Sequence, residues 1–432
     1  MRVHITGIGG AGMSPLALIA HAAGYEVSGS DMQESAYTEN LRSHGITDII
    51  IGQSYESLAE LHEKSPIDWL VHTSAVRENS PGFSELQFAK DNAITTSKRD
   101  DFINKILQDT GQKMIAIAGT HGKTTTTAMV IWLFRQLDIP LSYSLGGKLS
   151  FGGIGEFNKL AEYFVYEADE YDRNFLSFHP VLSAITGIAY DHPDIYPTQE
   201  NYNDAFHDFI GQSERTVIWS KDAEAIALES RDDITELDSS HDLNDITLAG
   251  EVNRQNAHLA ISSLVQLELC TYERGVEIIN QFPGVSRRFE KIAENIYTDY
   301  AHTPEKIAGA LQLCREIAGD DVIVVYEGLH NTRQHFIREQ LKELFTGVKK
   351  LIVVPSYRAR EDESLEDLTP EKLVDLIEKP SDREPAELND ELKQLITKLS
   401  KDNLVICLSA GGGGSLDEWL RVNFSHIDNR GS

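Results

Sequence analysis

The sequence predicts an α/β protein of three domains in series, each a mainly parallel sheet flanked by helices. Two observations predict it. Apolar stretches of strand length alternate with amphipathic stretches of helix length, which is the pattern of βαβ units. Three of the strand-like stretches run into glycine, near Gly7, Gly119 and Gly411, giving one nucleotide-binding-like junction per domain. The strand-like stretches include residues 3–6, 69–73, 114–118, 181–186, 322–326, 351–355 and 404–408. One boundary falls near 97–101, between a strand-like 93–96 and a new helix. A second falls near 284–288, where Phe282-Pro283-Gly284 punctuates the chain. The domains are therefore expected at 1–99, 100–286 and 287–432. Residues 358–391 are rich in charge and proline and read as surface helices and loops.

Length and charge bound the function. At about 100–200 residues per domain, 432 residues make two to four domains. The net charge of −29 argues against nucleic acid, whose nonspecific affinity comes from neutralising phosphates with Lys and Arg. A nucleotide ligand would need local donors that override this field. The bland reading of the acidity is solubility or salt adaptation. The three cysteines stand far apart and in no metal-binding spacing, so a reducing, cytoplasmic location is expected. No apolar run is long enough to insert in a membrane, and the strand-like residues 2–6 leave no place for a secretory signal.

The strongest motif is Gly119-Thr120-His121-Gly122-Lys123-Thr124-Thr125, entered from an apolar strand and followed by a helix. Backbone N–H groups in such a loop converge on phosphate oxygens, and the helix N-terminus adds partial positive charge. Lys123 offers a point charge to the β- and γ-phosphates, and the Thr124 hydroxyl offers a ligand to Mg²⁺. Ile117 stands where the general phosphate loop has glycine, so this is a shortened variant.

Two further segments surround it. Gly7-Ile8-Gly9-Gly10-Ala11-Gly12 fits GxGxxG after a strand, and Asp31 ends the next strand. Alone, this reads as a dinucleotide site with Asp31 on a ribose, or as a structural turn. Tyr166-Glu167-Ala168-Asp169-Glu170 follows an apolar strand, and Glu167 is the best-placed carboxylate for Mg²⁺. Such a charge run is otherwise a solvated face.

Gly-Thr-His-Gly-Lys-Thr-Thr-Thr resembles the ATP loop of the Mur ligase family, and the resemblance runs through essentially the whole chain. It implies an ATP-dependent ligase that joins UDP-N-acetylmuramate to L-alanine or a related amine through an acyl phosphate. The setting it implies is peptidoglycan precursor synthesis by a cytoplasmic monomer or homodimer. ATP and Mg²⁺, as two ions, are the implied cofactors. The N-terminal loop Gly7, Gly9, Gly10, Ala11, Gly12, Met13 and Ser14 would hold the UDP diphosphate. Asp31 would lie near the uridine and Ser74 would form a wall. Glu167 and Thr124 would bind the first metal and His192 a second, although imidazole is an unusual Mg²⁺ ligand.

Asn253 and Asn256, three apart on one helix face, would approach the adenine. Arg288 would reach ATP phosphates, and Asp299 would meet the nucleotide. Tyr300 and His302 would lie near the amine, where His302 orients or deprotonates it and so needs a pKa near neutrality. Arg333 would grip a carboxylate beside His330, which stands where the alanine-adding branch has a second Arg. Thr303 likewise replaces a second His of that branch. Ala-His-Thr-Pro at 301–304 is closer to the family member that adds a diamino acid, the segments 167–172 and 191–197 lean toward the tripeptide-adding branch, and the N-terminal loop leans toward the alanine-adding one. Outside the family, an NAD-dependent oxidoreductase would explain the first loop alone, and an ATP-binding regulatory module would explain nucleotide binding without turnover.

Overall fold

The computed structural model describes residues 1–424 except 74, 75, 194, 239–242, 359, 360 and 363. Three sheets lie along the chain, in two compact units. Unit one comprises residues 1–246 and 255–282, and unit two comprises 247–254 and 283–432.

Unit one holds two sheets. The first contains β1 (Arg2–Thr6), β2 (Glu26–Asp31), β3 (Ile49–Ile51), β4 (Trp69–His72) and β5 (Thr95–Lys98), in the order β3-β2-β1-β4-β5. All its pairings are parallel. The second contains β6 (Lys113–Ala118), β7 (Leu141–Ser144), β8 (Gly155–Glu156), β9 (Tyr163–Glu167), β10 (Leu182–Ile185), β11 (Thr216–Trp219) and β12 (Ile234–Leu237). Its order is β12-β11-β10-β6-β9-β7-β8, antiparallel only between β7 and β8. β6 is buried along its length except at Lys113, as expected of a central parallel strand covered on both faces.

The two sheets share one apolar core. Val3 and Ile5 of β1, Phe102, Ile103 and Ile106 of the helix Arg99–Thr110, and Met114, Phe164 and Tyr166 of the second sheet belong to one buried cluster. Phe102 is its hinge pin, with ring contacts to Tyr25 at 5.3 Å and Trp69 at 5.7 Å. The helix starts directly after β5, so no linker separates the first sheet from the second.

Unit two holds β13 (Glu290–Ala293), β14 (Ile296–Asp299), β15 (Val322–Leu329), β16 (Lys350–Tyr357), β17 (Arg383–Pro385) and β18 (Leu404–Leu408), in the order β13-β14-β18-β15-β16-β17. Only β13 and β14 pair antiparallel. Separate buried clusters cover the two faces of this sheet.

Two local expectations are corrected. The strand expected at 93–96 begins at Thr95, because Ala93 takes a left-handed turn with φ 54°. The stretch read as surface helices and loops contributes β17, in register with β16 from Leu351 to Val353. Pro385 is tolerated because an edge strand bonds on one side only. Among the described residues no helix is long and apolar enough to cross a membrane.

Candidate functional site

β6 lies between β9 and β10, so the loops that leave these three strands are neighbours. The loop after β6 is tight. Gly119 has φ +129°, and a Cβ there would meet Thr186 Oγ1 at 2.3 Å. Gly122 has φ +84°, and a Cβ there would meet Asn256 Oδ1 at 2.7 Å. Thr120 donates its N–H to the Gly187 carbonyl at 2.9 Å. Its hydroxyl donates to the Ala189 carbonyl at 2.9 Å and lies 2.7 Å from the Tyr202 hydroxyl. The carbonyl of His121 accepts from the Thr186 hydroxyl. The helix Lys123–Gln136 begins at once, and its first turn, with Thr124 and Thr125, leaves N–H groups without intrahelical acceptors. Ile117 is a buried residue of β6, so the loop is shortened because the strand runs further.

Charge gathers at this point. Lys123 Nζ donates to the Gly119 carbonyl at 2.7 Å and to Glu170 Oε2 at 2.6 Å, with Asp169 at 3.9 Å. Burial alone would lower the Lys123 pKa, but Glu170, Asp169 and Glu167 outweigh it and raise the pKa. Thr124 donates its hydroxyl to Glu167 Oε1 at 2.8 Å, and Glu167 Oε2 accepts the Gly146 N–H at 2.7 Å. Glu167 ends β9 in register with Ile117, which brings it beside the loop. His192 Nε2 lies 3.7 Å from Glu170 Oε1 and 3.9 Å from Asp191. Tyr171 stands edge-on to its ring at 5.1 Å. The backbone is left-handed at His192 (φ 58°), Asp172 (φ 54°) and Arg173 (φ 57°), strain of the kind that surrounding structure must hold in place. A 2.6 Å ion pair from Lys98 fixes Asp172.

The first glycine loop leaves β1, next to β2. Gly7 and Ile8 donate to the Ser30 carbonyl at 2.8 and 3.0 Å. Gly10 donates to Gly7 at 3.0 Å. Asp31 accepts the Gly9 N–H at 2.8 Å through one oxygen and the Met32 N–H at 2.8 Å through the other. Its carboxylate therefore closes the loop. Met13 and Ser14 are buried in the first turn of the helix Met13–Ala22, so the loop's surface is Gly9 to Gly12. The methyl of Thr73 faces Gly7 at 3.6 Å from its would-be Cβ. Ser74 lies outside the described residues.

The helix Glu251–Gln266 parts the two asparagines between the units. Asn256 is buried in unit one beside Gly122, whereas Asn253, in unit two, donates to the Ala249 carbonyl at 2.9 Å.

Within unit two, Asp299 ends β14 and Leu408 ends the neighbouring β18 in register with it. Asp299 accepts the Phe289 N–H at 2.7 Å. Burial raises its pKa, and Arg288 works against that. The guanidinium of Arg288 sits 4.8 Å and that of Arg287 4.7 Å from the centroid of the Tyr300 ring. His302 packs edge-on to Tyr300, and its Nδ1 lies 2.9 Å from the Tyr300 carbonyl. Burial, and then the charge of Lys306, push the His302 pKa down to about 4. This corrects the expectation of a pKa near neutrality. His302 is therefore a neutral imidazole near neutral pH and a weak base.

Thr303, which stands in place of a histidine, caps the helix Pro304–Ala318 through its hydroxyl. His330 caps the helix Asn331–Phe336 by accepting the Arg333 N–H at 3.3 Å. Arg333 keeps its Nε buried without a partner among the described residues.

Sequence reasoning missed three residues. Glu170 was visible within the acidic run, three residues after Glu167, but only the fold turns it onto Lys123 and His192. Glu327 is buried in β15 and accepts from the Ser409 hydroxyl and the Leu416 N–H, tying the glycine-rich stretch 411–414 to the sheet. Arg99 reaches the first glycine loop from a distant strand end, and no local pattern announces it.

These features define an α/β protein with a phosphate loop, an adjoining acid pair and a second glycine loop. Three family profiles cover most of the chain: "Mur ligase family, catalytic domain" at residues 2–110, "Mur ligase middle domain" at 117–258 and "Mur ligase, glutamate ligase domain" at 287–411. The UDP-N-acetylmuramate–L-alanine ligase of Fusobacterium nucleatum is 30% identical, over 95% of this chain and 94% of its own. The enzyme of the same name from Salinispora arenicola is 32% identical, over 82% and 74%. A UDP-N-acetylmuramate–alanine ligase structure from Thermotoga maritima shares the fold with a TM-score of 0.76 at 24% identity, covering 98% of both chains. A murein peptide ligase from Psychrobacter arcticus gives 0.63 at 20% identity, covering 99% of both. The chain belongs to the Mur ligase family.

Proposed function

We propose that this chain is an ATP-dependent ligase that forms an amide between the carboxylate of UDP-N-acetylmuramate and L-alanine. The observation that carries the reading is the two pairs at the phosphate loop, Lys123 with Glu170 and Thr124 with Glu167, in the same compact unit as a second glycine loop. The names of full-length curated relatives support the substrates. We also infer domain boundaries at 99/100 and 286/287, and a cytoplasmic location.

The residues fit the implied groups. Gly119 and Gly122 leave room that a Cβ would fill, as a phosphate cradle requires. The Thr124 hydroxyl and Glu167 carboxylate are hard oxygen donors 2.8 Å apart, suited to Mg²⁺, which takes few protein ligands and completes its shell with phosphate and water. When bound, the metal neutralises charge on the transferring phosphoryl group. His192, beside Glu170, is the candidate for a second ion.

Lys123 is held ready by Glu170 and, still protonated, offsets the negative charge of the phosphoryl group as that group passes to the muramoyl carboxylate. The products of this step are an acyl phosphate and ADP. The neutral amine attacks the acyl carbon, the tetrahedral oxyanion collapses, the C–O bond to phosphate breaks, and the departing phosphate takes the proton lost by the attacking nitrogen. Within unit two, Tyr300 and neutral His302 are the candidates to orient the amine, Arg333 to engage the amino-acid carboxylate, and Arg288 and Asp299 to meet the nucleotide. The oxidoreductase reading accounts for the first glycine loop alone and leaves the pairing of Thr124 with Glu167 and of Lys123 with Glu170 at the second loop unexplained.

One observation favours a second amine. His330 is spent on a helix cap, so a free amino acid finds one Arg and not two. Phosphate release from ATP with Mg²⁺ and UDP-N-acetylmuramate tests both readings. Release that needs L-alanine establishes the proposal. Release with the tripeptide alone moves the chain to the tripeptide-adding activity. No muramate-dependent release with any amine refutes both.

A further inference from the structure

Arg99 opens the helix Arg99–Thr110, immediately after the edge strand β5, yet its side chain reaches the loop that leaves β1. Its Nη1 lies 2.7 Å from the point where a Cβ of Gly12 would stand, so the guanidinium rests against the bare backbone of that glycine. Nε donates to Asp100 at 3.2 Å, and buried Asp100 also accepts the Tyr166 hydroxyl at 3.2 Å. This anchors the base of the guanidinium and aims its fork.

The fork has nothing to hold. Nη1 and Nη2 of Arg99 have no acceptor among the described residues, although the side chain is only 25% exposed. The N–H groups of Ala11 and Gly12 beside it also have no acceptor there. Half-buried donors left unpaired are costly. In a chain of net charge −29, with carboxylates abundant, an arginine that is paired only through Nε and turns both Nη groups without an acceptor toward a glycine loop marks a place kept for an anion. The preceding Lys98 is tied to Asp172, so the two consecutive cations do different work.

We propose that Arg99 grips the diphosphate of the UDP-linked substrate, its planar fork completing the cradle begun by the N–H groups of Ala11 and Gly12. Paired N–H donors match two phosphate oxygens, a geometry that a lysine ammonium cannot reproduce. The inference rests on the reading of the chain as a ligase of a UDP-sugar acid. It adds a residue, brought in from the far edge of the sheet, that discriminates a diphosphate from a monophosphate.

The test is calorimetric titration of the full chain with UDP and with UMP, for the wild type, Arg99→Lys and Arg99→Ala. Thermal midpoints are recorded and a nonhydrolysable ATP analogue serves as control. Arg99→Ala is expected to weaken UDP by about 10- to 100-fold and UMP far less, so the preference for UDP collapses. Arg99→Lys keeps a cation beside Asp100 and falls between, with the ATP analogue bound as before. If Arg99→Ala does not fold, the lysine variant decides. An unchanged ratio of UDP to UMP affinity in folded Arg99→Lys and Arg99→Ala overturns the role of Arg99 while leaving the ligase reading intact. An equal loss for the ATP analogue and UDP also overturns it, because that reports a structural role through Asp100. A wild type that binds neither UDP nor UMP refutes the ligase reading itself and the inference with it.

Discussion

Two glycine loops leave parallel strands within one compact unit, and they differ in what stands around them. The loop after β6 is crowded with charge: Lys123 spans its ends, Glu170 and Asp169 face Lys123, and Glu167 holds Thr124. The loop after β1 contains no lysine and is closed by one carboxylate, Asp31, on its own backbone. Charge in the first case is arranged in pairs that an incoming phosphate can rearrange. In the second it is locked. A site that must follow a moving phosphoryl group needs exchangeable partners, whereas a site that only anchors a diphosphate needs fixed donors.

The largest effect is expected at the loop after β6. Lys123→Ala will lower kcat by about a thousandfold or more while UDP affinity stays near wild type, as measured by phosphate release and titration. A comparable loss of UDP affinity would show that the two loops are not separable. Glu167→Gln comes next, with a fall in kcat of about a hundredfold and a higher Mg²⁺ concentration for half-maximal rate. An unchanged Mg²⁺ requirement would remove Glu167 from the metal.

Smaller and reciprocal effects follow from the glycines. An alanine Cβ at Gly122 meets Asn256, and one at Gly9 meets Asp31 at 2.9 Å. Gly122→Ala is expected to raise KM for ATP, and Gly9→Ala that for the UDP-sugar, each by about tenfold or more with little effect on the other. Crossed effects would break the comparison.

The smallest effect lies in the other unit and serves as a control. His302 titrates at about 4 in the folded chain and at about 6.5 when unfolded. Below the unfolded value the unfolded chain binds the extra proton. Stability of unit two is therefore undiminished by this group above about pH 6.5 and declines as pH falls toward 4. NMR titration of the imidazole would reveal the low midpoint, and a midpoint near 6.5 would restore the role of general base.

Much of this was legible in the sequence. The phosphate loop, Glu167 and the alternation of strands and helices are local patterns, and local patterns survive folding. β17 was not legible, because an Arg-Glu-Pro edge strand carries no periodicity and is made by its neighbour. The pKa of His302 depends on burial, which an isolated Tyr-Ala-His-Thr does not encode. Glu170 and Arg99 were missed for a related reason: their partners lie 47 and 87 residues away in the chain, at Lys123 and Gly12.

The continuous core that joins the first two sheets has a consequence for the chain's history. Phe102 belongs to one buried cluster that holds apolar residues of both sheets, so truncating it to alanine, at a cost of about 3–5 kcal/mol, weakens the packing from which both glycine loops rise. Sequence change in the first two sheets is therefore felt jointly, whereas the third sheet rests on buried clusters of its own and can diverge on its own account.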